Sequence, residues 1–285
     1  MELKTFTLRA AKKILIYSFL IVGSVSMVLP FFWMLSTSLK SFASVFIFDI
    51  TKIQWIPSPV YWGNYLDVWK VVPFARFYIN SFFVCAAVTV AQVGTSALAA
   101  YSFSRLKFPG REKIFFSYLA TMMIPGSVTL IPVFVLMRIF GWIDTYMALI
   151  IPAAFSAYGT FMLRQFFMTI PRDLEDAAKI DGCNYPQIFM RVILPLSKTA
   201  LATLTVFVAL GNWVSFMWPL LVTNSIEKRT LPVGLAYFQE MYQYAQPDWG
   251  LLMAGSLITM IPVMIIFLFS QKFFVEGIKL TGMKG

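Results

Sequence analysis

Six stretches of this chain run for at least 18 residues without an Asp, Glu, Lys or Arg: 14–39, 77–104, 114–137, 145–163, 199–226 and 249–271. An α-helix needs about 20 apolar residues to cross a bilayer core, and a charge at its centre costs on the order of 3 kcal/mol. The pattern predicts an all-α membrane protein, a single transmembrane domain over 1–285 with six spanning helices. Composition agrees. The chain is 59% hydrophobic and only 13% charged, against about 25% charged in soluble domains. That excludes a water-soluble globule and also disorder, which requires low hydrophobicity. The net charge of +10 does not indicate nucleic acid, because the basic residues are scattered between apolar runs. The first run follows Arg9, Lys12 and Lys13 as a signal peptide would. It is too long for a cleaved hydrophobic region and no small-x-small site follows, so it is expected to be retained.

Orientation follows from the basic residues. One set of connections holds 16 Lys and Arg and the other holds 7, while the acidic residues split 7 to 6. The basic-rich side is cytoplasmic by the positive-inside rule, which places both termini in the cytoplasm. External loops fall at 40–76 and 227–248, and a long cytoplasmic loop at 164–198. The first external loop is rich in aromatics (Trp55, Tyr61, Trp62, Tyr65, Trp69). It suits either a docking surface or an interfacial shelf. There is no histidine, and Cys85 and Cys183 set no metal or disulfide spacing, so no metal site is expected. Ser197-Lys198-Thr199 lacks the glycine of a phosphate-binding loop, so the chain does not itself use ATP.

The cytoplasmic loop is the most structured connection. Pro171 suits a first helical turn. Asp173, Glu175 and Asp176 favour a helix N-terminus, and Ala177 and Ala178 form helix well. Gly182 suits the left-handed stop. Asn184 can cap a second helix with Pro186 in its first turn, and Pro195 kinks or ends it. Short helices like these are marginal in water and need a surface to pack on.

This segment resembles the EAA loop of binding-protein-dependent ABC transporter permeases. The matching residues are Asp176, Ala177, Ala178, Gly182, Val192, Leu194 and Pro195. Asp176 stands where Glu is usual and Val192 where Ile is usual, with Glu175 adjacent as the carboxylate of longer reach. Nearly the whole chain is similar to the smaller, maltose-transporter-type permease subunit. Supporting stretches include Trp62-Gly63-Asn64-Tyr65, Tyr101-Ser102-Phe103-Ser104-Arg105, Phe108-Pro109-Gly110, Trp218-Pro219-Leu220 and Asp248-Trp249-Gly250. The resemblance implies a type I ABC importer permease in the cell inner membrane, importing a sugar or oligosaccharide. Its implied partners are a second permease subunit, two ATPase subunits that use ATP and Mg, and an extracytoplasmic solute-binding protein. The loop would be the coupling helix that docks on the ATPase.

No charge interrupts the spans, which argues against ion coupling and for a neutral polar solute. Asn80, Gln92, Asn212, Trp213, Ser215 and Trp218 are the candidate path residues. Gly211 and Pro219 would permit local unwinding beside them, tolerated only next to protein or water. The plainer reading for each amide is helix–helix hydrogen bonding, and for the tryptophans an interfacial belt. Small residues in the second span point to close helix packing. Two other classes remain open from the residues alone. A self-contained carrier or channel would need no ATPase, and a membrane-embedded enzyme or scaffold would leave the loop helices without a partner.

Overall fold

The computed structural model describes the backbone over residues 2–42, 55–241 and 247–282, and side chains over 12–42, 55–238 and 247–271. It divides into two compact units, 1–72 with 237–258, and 73–236 with 259–285. The described residues contain helices and turns and no strand.

In the first unit, helix α1 (Glu2–Ser38) is followed by α2 (Gly63–Val71). The apolar stretch Lys12–Ser38 of α1 is exposed along most of its length, as a lipid-facing or partner-facing helix requires, and only its end, Ser36–Ser38, is buried. Its C-terminal carbonyls have no partner within the helix. Asn64 supplies donors: its Nδ2 donates to the carbonyls of Ser38 and Lys40, each at 2.8 Å. Gly250 lies against the same knot. A Cβ there would stand 2.7 Å from both Asn64 Nδ2 and the Lys40 carbonyl oxygen. The Trp62–Tyr65 and Asp248–Gly250 stretches, far apart in sequence, thus meet around one helix end.

The second unit is built on α3 (Phe74–Arg105). It continues through α4 (Arg111–Ala120), α5 (Gly126–Ile139), α6 (Tyr146–Ile150), α7 (Ala157–Thr169) and α8 (Asp173–Ile180). There follow α9 (Tyr185–Leu196), α10 (Lys198–Trp213), α11 (Met217–Val222) and α12 (Leu231–Met241). The last helix, α13 (Trp249–Gly282), runs through both units, as does α12. Helix α3 packs on α7 and α10. Small residues make this possible: Ser96, Ala97 and Ala100 are buried on α3. A Cβ on Gly159 of α7 would lie 2.6 Å from Ser96 Oγ. Cys85 Sγ donates to the Ala209 carbonyl at 3.4 Å, and Thr95 Oγ1 to that of Ala154 at 2.6 Å. Large apolar residues on the opposite face of α3, Ile79, Phe82 and Val90, stay exposed.

Among the described residues three helices are long and apolar enough to span: Lys12–Ser38, Phe74–Arg105 and Trp249–Gln271. Two bent pairs raise the number to five. Arg111–Met123 meets Gly126–Ile139 at 102°, and Tyr185–Leu196 meets Lys198–Trp213 at 80°. Pro125 sits at the first break. The fourth charge-free run, read as one helix over 145–163, is instead α6 and α7 separated by a turn. Pro152 cannot donate its missing N–H to continue α6. Ser156 then restarts a helix by accepting from Gly159 N at 3.0 Å.

A polar knot closes the end of the unit away from α8. Asp144 takes a left-handed backbone, φ 63°. Its Oδ1 accepts from Asn224 N, Ser225 N and Ser225 Oγ, each at 3.0 Å. Burial works to raise its pKa, but the Ser225 and Asn224 donors and nearby Lys228 outweigh it and hold the carboxyl below its ordinary value. A depressed carboxylate pKa means stability present above the unfolded-state value and lost as pH falls through the folded-state value. Asp144→Ala should therefore lower stability by about 1–2 kcal/mol at neutral pH. In thermal unfolding of the solubilised protein, the gap between wild type and variant should shrink as pH drops below the ordinary Asp range.

Candidate functional site

Two places in the second unit carry the residues singled out from sequence. The first is the loop from Pro171 to Ser197. Helix α8 begins at Asp173, so Pro171 precedes the helix rather than lying in its first turn. The helix ends in a Schellman motif: Gly182 N donates to the Lys179 carbonyl and Cys183 N to that of Ala178, both at 2.9 Å. Gly182 has φ +81°, the left-handed region that glycine occupies without strain. Asn184 then forms a complete capping box with Gln187, at 3.0 and 2.9 Å. Residues Phe189–Ile193 of α9 form a π turn. Pro195 lacks the N–H for an ordinary turn and its ring crowds the carbonyl four residues back, so a widened turn just before it relieves both. The 80° bend to α10 follows at Ser197.

Helix α8 has two faces. Glu175 and Ala178 are buried. Leu174, Asp176, Ala177, Lys179 and Ile180 are exposed, Ile180 at 87%. Asp176 pairs with Lys179 at 2.8 Å. That hydrogen bond holds the Asp176 carboxyl below its ordinary pKa and raises that of Lys179. Val192 and Leu194 are half-buried against the core, and Pro195 is exposed. Glu175, the carboxylate of longer reach, does not face outward. Its Oε1 lies 2.9 Å from Arg105 Nε, with both side chains under 10% exposed. The Arg105 Nη2 donates to the carbonyls of Phe167 and of Ile170, the latter at 2.7 Å. Both carbonyls lie at the C-terminus of α7, where intrahelical donors run out; that of Phe167 also accepts from Ile170 N at 3.1 Å. One guanidinium therefore ties α3, α7 and α8 together. Tyr101, one turn earlier, reaches the Tyr185 carbonyl at 3.3 Å and packs on Phe189, with ring centroids 5.1 Å apart.

The second place is a cavity of about 310 Å³. Ser81 and Val84 of α3, Thr129, Leu130 and Val133 of α5, and Leu149, Pro152 and Ala153 line it, with Asn212, Ser215, Trp218, Pro219 and Thr230. Backbone is unwound between α10 and α11, over 214–216, beside this space. The expected break between Gly211 and Pro219 is present, and it borders a cavity as irregular backbone at membrane depth must. No ionisable side chain lines the cavity. Trp218 Nε1 donates to the Ala148 carbonyl at 2.9 Å, which fixes its indole. Asn212 Nδ2 donates to the Val208 carbonyl at 2.9 Å. The Thr230 hydroxyl is buried with no partner among the described residues.

Of the six candidate path residues, Asn212, Ser215 and Trp218 are brought together here. The other three lie outside the lining. Asn80 is a brace: Nδ2 donates to the carbonyls of Glu227 and Arg229 at 2.8 and 2.9 Å, and Oδ1 accepts from Tyr146 OH at 2.8 Å. Trp213 is buried, donates to the Thr259 carbonyl at 3.0 Å, and meets Tyr78 edge-on. Gln92 is half-buried on α3. Ser81, Thr129 and Thr230 are not among the six candidate path residues. The first two were visible only as hydroxyls within charge-free runs.

Residues 92–280 match the family described as the binding-protein-dependent transport system inner membrane component. The chain belongs to that family. It is 33% identical over 265 residues to the sn-glycerol-3-phosphate transport system permease protein UgpE of Pectobacterium atrosepticum, covering 91% of this chain and 93% of that protein. It is 32% identical over 251 residues to the arabinooligosaccharides transport system permease protein AraQ of Halalkalibacterium halodurans, covering 88% and 86%. It also superposes on a chain of a bacterial ABC transporter involved in the import of the acidic polysaccharide alginate. There the TM-score is 0.82 and the identity 26%, over 92% of this chain and 95% of that one. The chain is thus a type I permease subunit of an ABC importer, a membrane component and not the ATPase.

Breaking a buried ion pair on one side leaves an uncompensated charge, worth about 3–5 kcal/mol. Arg105→Gln and Glu175→Gln should each destabilise the purified protein strongly. The double variant should be less destabilised than the sum of the two, a non-additivity above about 1 kcal/mol in a double-mutant cycle of unfolding midpoints. Additive effects would mean that the two side chains do not interact.

Proposed function

We propose that this chain is one of two permease subunits of an ATP-driven importer for a sugar or sugar derivative. In this reading it crosses the inner membrane six times with both termini cytoplasmic. The fourth crossing is made by the α6–turn–α7 segment. Two ATPase subunits, using ATP and Mg, dock on the exposed face of α8. A solute-binding protein delivers the solute from outside, and a second permease completes the path. The relatives named above are permeases for glycerol phosphate and for arabino-oligosaccharides, and the related structure imports an acidic polysaccharide.

The observation that carries the substrate class is the uncharged cavity beside broken helix. Hydroxyl and amide groups with an indole in an otherwise apolar wall suit a hydroxyl-rich solute, whose ring faces are apolar and whose rim is polar. An anionic solute would find no counter-charge on this chain, and its desolvation would go unmatched. Any such charge would have to come from the second permease.

The observation that supports coupling is the division of α8. One face is fixed by Arg105 and the core, while Leu174 and Ile180 stay exposed next to Asp176. A helix of eight residues with an open apolar face is suited to a cleft in another subunit. A docked helix tied rigidly to α3 can bias a two-state arrangement if ATP favours one docked geometry.

The test is gentle purification from the native membrane with mass spectrometry of the accompanying chains, followed by solute uptake in vesicles. An ATPase and a second permease should co-purify. A chain that purifies alone and moves solute without an ATPase would sink this reading in favour of a self-contained carrier. Gly182→Val has room for its side chain, since nothing lies within 4 Å of a Cβ there. Its backbone is strained all the same, by roughly 1–2 kcal/mol. The variant should reduce uptake at normal expression and raise the ATP hydrolysed per solute moved. Asn212→Ala and Ser215→Ala should instead raise the half-saturating solute concentration several-fold with assembly unchanged, about 1 kcal/mol per lost hydrogen bond.

A further inference from the structure

At the end of α3 lies a second recess, apart from the cavity described above. Its volume is about 340 Å³, and its lining includes four guanidinium groups, those of Arg105, Arg111, Arg164 and Arg172, and no carboxylate. Two carboxylates outside the lining serve this cluster. Glu175 pairs with Arg105 at 2.9 Å. Glu112 is shared between Arg111 at 2.8 Å and Arg164 at 3.2 Å. Four cations less two anions leaves a local charge of +2. Among the described residues, Arg172 has no carboxylate within ion-pair distance. An adjoining recess of about 510 Å³ shares Arg111 and Arg172 and adds Lys107 and Lys113.

Three observations bear on what fills it. The side chains of Arg105 and Arg164 are only 4% and 11% exposed, so they sit inside the recess and not on a flat surface that a protein partner would cover. The nearby hydroxyls of Ser104 and Thr169 spend their protons on the carbonyls of Tyr101 and Phe166. Many of the guanidinium N–H groups are committed as well: Arg105 Nη2 to the Phe167 and Ile170 carbonyls, Arg164 Nε to the Phe103 carbonyl and Nη2 to Glu112, Arg111 Nε to Glu112 and Nη1 to the Leu106 carbonyl. Among the described residues Arg172 makes none of these bonds, and its planar fork, with the remaining N–H groups of the other three, matches a phosphate. Finally, Arg105 is the last residue of the apolar span Phe74–Arg105. That helix is 32 residues, about 48 Å long against a hydrocarbon core of roughly 30 Å, so its basic-rich end carries the recess at or beyond the headgroup level. Met168, 53% exposed, adds an apolar rim.

We propose that this recess binds a phosphate group, supplied by the headgroup of an anionic phospholipid. The recess relieves its own repulsion by taking an anion, and a lipid brings the phosphate to this depth already anchored. The proposal rests on the arginine cluster and the membrane position of α3, and it stands whether or not α8 docks on an ATPase.

The test uses the full chain with whatever subunits accompany it, delipidated and returned to phosphatidylcholine with or without phosphatidylglycerol. Native mass spectrometry should show phosphatidylglycerol retained in preference to phosphatidylcholine, and thermal unfolding should shift upward with it. Arg111→Gln/Arg172→Gln should lower that retention about tenfold, the equivalent of one charge-assisted hydrogen bond. Its unfolding in phosphatidylcholine alone reports whether it folds. If it does not, the wild-type shift must itself weaken with added salt, as screening of a charge contact requires. Protection by inorganic phosphate in detergent would keep the phosphate site and assign its source to a soluble ion. The proposal is overturned if neither phosphatidylglycerol nor phosphate protects. It is equally overturned if the double variant keeps its lipid but loses a subunit, which would assign the arginines to a protein contact.

Discussion

The arrangement of the second unit turns on the buried pair between Arg105 and Glu175. A carboxylate and a guanidinium removed from water recover their desolvation only with good geometry and full hydrogen bonding. Here Arg105 Nε and Glu175 Oε1 approach to 2.9 Å without an aligned hydrogen bond, and the hydrogen bonding of the guanidinium comes from Nη2, which donates to carbonyls at the C-terminus of α7. The charge is thus placed where a helix end supplies negative potential. Helix α8 is too short to persist alone. It is held by this pair, by burial of Ala178, and by the stop at Gly182. Without the pair, its buried face would carry a lone carboxylate.

Helix α3 carries a second junction at its other end. Asn80 gathers the carbonyls of Glu227 and Arg229 and the hydroxyl of Tyr146. Lys228 adds a cation over the Tyr146 ring at 4.1 Å. Between the two junctions, small residues bring α7 and α10 close. Helix α3 therefore behaves as a beam with polar joints at its ends and a dry seam along its length. Ser81 and Val84 contribute to the cavity from this beam, next to Asn80. Interfaces packed this closely move between discrete arrangements and do not deform continuously. Under the proposed coupling, that is the property a transmitted motion needs.

Much of this was legible in the sequence because it is local. The stop at Gly182, the cap at Asn184 and the unwinding between Gly211 and Pro219 each follow from a residue and its neighbours. What was not legible depends on partners far along the chain. The fourth run counts as charge-free, and Pro152 reads in the sequence as a kink within one span; in the structure the helix stops there and restarts at Ser156. Asn80 looked like a path residue because a lone amide in an apolar run is conspicuous. Its partners lie 66, 147 and 149 residues away, and they make it a brace. Glu175 sits in an acidic first turn, where all three carboxylates look equivalent. Only the position of Arg105 decides that Glu175 turns inward and Asp176 outward.

The distribution of charge then separates three tasks within one subunit. Paired charges are buried at the α3–α7–α8 junction, where they fix geometry. Surplus cations gather at the end of the spanning helix, where phosphate is at hand. The cavity has neither. Its polar atoms are hydroxyls, amides and an indole N–H, several already committed to backbone. Such groups hold a ligand by many weak contacts and release it when the lining shifts, since each neutral hydrogen bond contributes only about 0.5–1.5 kcal/mol. A charged anchor in the same wall would hold an oppositely charged ligand more tightly and slow its departure. A lining that binds weakly at many points is therefore better matched to passage than to storage.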